Sequence, residues 1–157
     1  LYIPPKKGKS HVLRIIRELL EFNSKSKKTD INVPLKFVSN ILKNRSIAFI
    51  ISDFISQDYS NSLKIFSSRH DVTGIRIYDK TEEIIPNLGV IDINDNETGK
   101  RTTVNTSSKK IRRKYNEYYN SKRREFVDYF KRSGSGIIEC NTNDDYQKKL
   151  LKYFKSR

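Results

Sequence analysis

Three short apolar runs, separated by stretches with helical periodicity, limit the folds open to this chain. They are IAFII (Ile47–Ile51), VTGIRIY (Val72–Tyr78) and GIIEC, which ends at Cys140. Continuous apolar runs of this length suit strands covered on both faces. Core strands alternating with helices imply a parallel sheet joined by crossover helices. The sequence therefore predicts an α/β, Rossmann-like fold. The first run stops on Ser52 and Asp53. A carboxylate there is costly to bury unless something pairs with it, and ligands of such sheets sit beyond the carboxyl ends of the strands. Asp53 is thus a candidate metal ligand, phosphoacceptor or nuclease acid, or simply a cap on the next loop.

The helical segments can be placed around these runs. Ser10 can cap a helix with Val12, Leu13, Ile15, Ile16, Leu19, Leu20 and Phe22 at helical spacing. NSKSKK is a polar linker, after which Thr29 or Asp30 opens a second helix. That helix carries Ile31, Leu35, Val38, Ile41 and Leu42 on one face, and Pro34 is tolerated in its first turn. A short helix spans about Leu63 to Ser68. Two alternating runs around Asn96–Lys100 read as a hairpin inserted within 83–105. Ser107–Ser133 is a long basic helix ended by Gly134 and Gly136, and Asp144 or Asp145 starts a terminal helix to about Lys155.

The 157 residues suit one domain, 1–157, with a sizeable core. The apolar content of 35% is low and the charged fraction is 32%, so the surface is heavily solvated. A net charge of +14 raises the question of an acidic partner. Ten of the 32 Lys and Arg residues lie in Ser107–Ser133, interleaved with Tyr115, Tyr118 and Tyr119. Such a helix could hold nucleic acid by phosphate contacts and stacking. The competing reading places Ile111, Tyr115, Phe126, Val127 and Phe130 against the sheet with the cations, Lys122 and Arg123 among them, on a solvated outer face. No base-reading motif accompanies the charge, which favours the second reading.

An enzyme would need further acids or a nucleophile near Asp53, and SDF lacks the Asp-x-Asp spacing of two-metal nucleases. His11 and His70 have no partners at metal-ligand spacing, so local capping or core packing is expected of both. Cys140, the only cysteine, permits a reducing compartment and is expected to be a packed, inert thiol. DINDNETG does not follow the spacing of an EF-hand calcium loop. No apolar run approaches a membrane span and no signal peptide is visible, so a cytoplasmic location is expected. The opening LYIPPKKG reads as the tail of a strand, and the expectation is a piece of a longer protein.

KKTDINVPL, IAFIISDF and SRHDVTGIRIYDKTEEIIPNLGVIDINDNETGK, in that order, are similar to the von Willebrand factor A-like domain of the bacterial domain-of-unknown-function-58 family. LYIPPKKGKSHVLRIIREL and SGIIECNTNDDYQKKLLKYF extend the resemblance to the whole chain. The RHDV to DNETG block, with its inserted hairpin, is the most specific part. The resemblance implies a three-layer sandwich truncated at its N-terminus, and a non-enzymatic protein-interaction module that partners MoxR-type AAA+ ATPases in protein assembly or maturation. The alternative is a nucleic-acid-binding domain using 107–133. The resemblance also implies a divalent cation, Mg²⁺ by its preference for hydroxyl, carboxylate and water oxygens. Thr29 resembles the family's Thr ligand and Asp53 its last Asp. The Asp-x-Ser-x-Ser motif that supplies the other ligands does not occur here, so the site is expected to be incomplete and empty in this chain. The implied strand order, 3-2-1-4-5-6, leaves the Ile47–Ile51 strand without its neighbour. Its open edge predicts self-association.

Overall fold

The computed structural model describes residues 1–22, 29–94 and 101–156. Its elements run α1 (Lys9–Glu21), α2 (Asn32–Ile41), β1 (Ile47–Ser52), α3 (Ser60–Ser67), β2 (Asp71–Tyr78), β3 (Val90–Asn94), β4 (Arg101–Asn105), α4 (Lys109–Arg132), β5 (Gly136–Asn141) and α5 (Tyr146–Lys155). The three apolar runs are the three strands of one parallel sheet, in the order β1-β2-β5. Ile47 lies opposite Asp71, and Thr73 opposite Gly136. The fold is mixed α/β, as the alternation of runs and helices predicts.

Strand alternation assigns the two faces of the sheet. Ala48, Ile50, Val72, Gly74 and Ile137 meet α2, α3 and α4 through Leu35, Leu63, Phe66, Phe126 and Phe130. Gly74 has a packing reason. A Cβ there would fall 2.5 Å from Phe130 Cε1 and 2.8 Å from Phe126 Cε2, so the α4 rings lie directly on the backbone of the central strand. The opposite face carries Ile75, Ile138 and Cys140 under Leu150 and Tyr153 of α5. Cys140 is buried, and burial pushes its thiol pKa up, as suits a packed thiol.

That second face is only partly covered, and here the structure corrects the expectation of a strand buried on both sides. Ile47, Phe49 and Ile51 are 68%, 44% and 66% exposed. On β1, α5 reaches Phe49, whose ring meets that of Phe154 edge-on at 5.8 Å. β1 pairs with β2 alone among the described residues, because it is the edge of the sheet. The apolar stripe of α1 is real but does not enter the core: Val12, Leu13, Ile16, Leu19, Leu20 and Phe22 are all exposed. Periodicity reports which face of a helix is apolar, not what covers it.

Helix starts also differ slightly from expectation. α1 begins at Lys9 after Gly8, whose φ of 106° suits glycine. α2 begins at Asn32, and Asp30 accepts a hydrogen bond from the Asn32 N–H at 2.9 Å. The terminal helix is capped as predicted, with Asp145 Oδ1 accepting from Lys148 N at 3.0 Å. The hairpin exists as β3 paired antiparallel to β4, while its expected turn, Asn96–Lys100, lies outside the described residues. Buried Thr106 pins its base: the Thr106 hydroxyl donates to Gly89 O at 2.7 Å and accepts from Leu88 N at 2.9 Å.

Candidate functional site

The carboxyl ends of β1, β2 and β5 frame a cleft of about 500 Å³ lined by Thr29, Ser52, Asp53, Ile77, Tyr78, Asp79, Glu82 and Thr142. Thr29 and Asp53, distant in sequence, come together there. The segment before α2 is tied to the loop after β1 by Ser56: its hydroxyl donates to Thr29 O at 3.2 Å and accepts from Ile31 N at 3.4 Å. Lys122 of α4 reaches the same loop, donating to Ser56 O at 3.2 Å.

Asp53 is exposed and has a local job. Its Oδ1 accepts from Ile55 N at 3.1 Å and from the Ser52 hydroxyl at 3.2 Å, and Ser52 Oγ accepts from Phe54 N at 3.1 Å. This Asx-type turn holds Phe54 at φ 60°, a left-handed conformation that a bulky residue adopts only when its surroundings enforce it. The reversal drops the Phe54 ring into the core, 2% exposed.

Asp79 occupies at the end of β2 the place that Asp53 holds at the end of β1. Its Oδ1 accepts from the Thr81 N–H and hydroxyl, both at 2.8 Å, and its Oδ2 from the Thr142 hydroxyl at 3.2 Å. The Thr81 backbone bond, followed by its hydroxyl, holds the Asp79 pKa below the ordinary carboxylate value. Sequence reasoning missed Asp79, Glu82 and Thr142. The signal for Asp79 was available, since YD follows one core strand as SD follows another.

The donors in this cleft are hard oxygens of the kind Mg²⁺ accepts. They do not compose a cation cage by themselves. The Asp53 Oδ1 and both Asp79 oxygens are turned to local hydrogen bonds, and among the described residues no three His, Cys, Asp or Glu side chains gather closely enough to hold a metal. Thr29 and Asp53 are brought to one place without being given a complete set of partners.

The basic helix is less free than its composition suggests. Phe126, Phe130 and Tyr119 are buried on its inner face, and Tyr115 donates from its hydroxyl to Glu82 O at 2.8 Å. Lys122 and Arg123, expected on a solvated outer face, are both engaged. Lys122 pairs with Glu125 at 2.9 Å as well as holding Ser56, and Arg123 grips Glu139 through two bonds of 2.8 and 2.9 Å. Glu139 also meets Arg76 at 3.4 Å, a buried guanidinium lying 4.7 Å from the Tyr78 ring centre and 5.3 Å from that of Tyr119. Arg113 and Arg132 pair with Glu117 and Asp128 on the helix itself.

A family model described as "Protein of unknown function DUF58" matches residues 1–125. The chain belongs to that family. The match takes in the elements from α1 to β4 and the first part of α4, and so includes Thr29, Asp53, Asp79 and Glu82 but not Thr142. This DUF58 chain is also 26% identical, over 116 residues, to the uncharacterized protein MAV169 of Mycobacterium avium, covering 73% of this chain and 68% of that one. It can be superposed on the crystal structure of an aerotolerance-related membrane protein from Bacteroides fragilis NCTC 9343, which carries multiple mutations to serines. The TM-score is 0.49 at 12% identity, over 95% of this chain and 71% of the other. In the DUF58 chain itself, no helix among the described residues is long and apolar enough to cross a membrane.

Proposed function

We propose that this DUF58 chain is a non-enzymatic protein-interaction module of von Willebrand A type, which meets a MoxR-type AAA+ ATPase on the cytoplasmic side. The observation that carries the reading is the convergence of Thr29 and Asp53 on one cleft at the carboxyl edge of a parallel sheet. Among the described residues the cleft lining includes no His, Cys, Lys or Arg, and so no paired nucleophile and base of the usual kinds. Its hydroxyls and carboxylates suit a divalent cation whose remaining ligands come from outside this cleft lining. Thr29 and Asp53 would then be two of the groups holding the cation, which would supply Lewis acidity towards a carboxylate of the partner. The ion pairs of Arg113, Lys122, Arg123 and Arg132 leave less free charge on α4 for nucleic acid, and this favours a protein partner.

The test is capture of a MoxR-type ATPase by the protein, in Mg²⁺ and in EDTA, with Asp53→Ala and Thr29→Ala beside the unaltered protein. Capture that needs Mg²⁺ and falls in both variants supports the reading. Equal capture under every condition, or no capture at all, overturns it.

A further inference from the structure

The opposite end of the sheet is chemically the reverse of the acidic cleft. At the amino ends of β1 and β2, a pocket of about 550 Å³ is lined by Ser39, Asn40, Leu42, Lys43, Asn44, Arg45, Arg69 and His70. No Asp or Glu among the described residues lines it. Among the described residues, none of Lys43, Arg45 and Arg69 takes part in an ion pair, in contrast to the paired cations of α4.

The helix ends nearby explain only part of this charge. α2 and α3 both finish at this end of the sheet, and the C-terminus of a helix carries roughly half a negative charge. Two such ends supply about one negative charge and the Asp71 carboxylate, at the start of β2, a second, against three side-chain cations, which leaves a surplus of about one. Two of the terminal carbonyls already have backbone partners, since Leu42 N donates to Val38 O, and the Arg69 and His70 amides both donate to Phe66 O.

His70 provides an independent observation. The residue is 4% exposed, its ring lies 4.6 Å from that of Phe66, and neither Nδ1 nor Nε2 has a hydrogen-bond partner among the described residues. Leaving a buried polar group unpaired is costly, and each such group in a native protein calls for an explanation, an absent ion among them. A hydrophobic residue would fill the place beside Phe66 without that cost.

We infer that this pocket is a binding site for a phosphate monoester. Arg45 and Arg69 supply charge-assisted donors to the phosphate oxygens, and Lys43 adds a third cation. Asn40 and Asn44 offer amide donors, and the volume leaves room for the organic part of a small soluble ligand. On binding, the His70 ring turns so that one nitrogen donates to the anion, which relieves its unpaired state. The site lies at the other end of the strands from the Thr29–Asp53 cleft and does not depend on the function proposed for that cleft.

The test is titration of the 157-residue chain with inorganic phosphate at constant ionic strength, by calorimetry and by the rise in melting temperature. One saturable site is expected. The Arg45→Gln, Arg69→Gln double variant should bind at least about tenfold more weakly, while Arg113→Gln should bind as the unaltered chain does. His70→Phe should keep or raise the melting temperature without ligand and weaken binding. Should His70→Phe fail to fold, the ring ¹⁵N signals of His70 in the unaltered chain give the same answer, because they must shift on saturation. Adenosine monophosphate and vesicles containing phosphatidic acid, run beside phosphate, separate a soluble ligand from a lipid headgroup. Absence of saturable phosphate binding, or equal affinity in the Arg45/Arg69 double variant, overturns the site. Unmoved His70 signals at saturation overturn the part assigned to His70.

Discussion

The ring of Phe54 stacks on that of Phe126, with centroids 4.3 Å apart and planes inclined by 28°. Phe54 also meets Phe130 edge-on at 5.3 Å. This contact links the Asp53 turn to the middle of the core, because Phe54 reaches α4 only while its backbone holds φ 60°. The residue at the mouth of the candidate cleft is thus part of the folding of the chain.

Substitutions at Asp53 should separate the two roles. Asp53→Asn keeps an Oδ1 acceptor for Ile55 N and should change stability by less than about 0.5 kcal/mol, as exposed sites do. Asp53→Ala removes that acceptor and should cost about 1 kcal/mol, the usual worth of such a bond. Millimolar Mg²⁺ should leave the melting temperature of the 157-residue chain unchanged. A Mg²⁺-dependent rise that disappears in Asp53→Asn would show that these residues suffice as a site. Urea unfolding and thermal melts provide the readout.

Gly74 and Phe130 should behave as a coupled pair. Gly74→Ala places a methyl group against both α4 rings and should destabilise by about 1–3 kcal/mol, the ordinary cost of overpacking. Phe130→Ala alone should cost about 3–5 kcal/mol. Gly74→Ala combined with Phe130→Leu should be more stable than the sum of the two single changes predicts, since the smaller side chain makes room. Additivity in a denaturant double-mutant cycle would show that the close approach is not maintained in solution.

Glu139 sets an acid limit. Hydrogen bonds from Arg123, with the charges of Arg123 and Arg76, hold its pKa below the ordinary value of 4.5. Its contribution is complete above the unfolded-state value and is lost as pH falls below about 4.5 through the lower folded-state value. Glu139→Gln leaves the buried Arg76 without a carboxylate and should cost about 3 kcal/mol at neutral pH. Arg123→Gln should cost less than about 1 kcal/mol, because Arg123 is half exposed. Its acid limb should also be shallower than that of the unaltered chain. Melting temperatures across pH 3 to 7, on the order of the carboxylate range, would show both effects.

The edge of the sheet should bring chains together. Among the described residues β1 has an unpaired strand edge, and it exposes the side chains of Ile47, Phe49 and Ile51. Sedimentation should show association at high micromolar concentration, and Phe49→Lys with Ile51→Lys should reduce it without loss of helix or strand signal. A monomer at all concentrations, with or without the lysines, would show that this edge does not recruit a second copy.

The sequence by itself determined the three strands, the order of the helices and the parallel sheet. These follow from local runs and periodicities, which depend on each segment's own residues. It also marked Asp53 as a strand-end acid, and a resemblance singled out Thr29. Tertiary structure decided everything that depends on neighbours. It left the α1 stripe and one face of β1 uncovered, because an apolar pattern does not say what will pack against it. It engaged Lys122 and Arg123, expected to be solvated, because Ser56 and Glu139 arrive from distant parts of the chain. It set Asp79, Glu82 and Thr142 around Asp53, since strands far apart in sequence end side by side in a parallel sheet. It gathered Lys43, Arg45, Arg69 and His70 at the other end for the same reason: adjacent parallel strands start together, so their preceding loops meet in space.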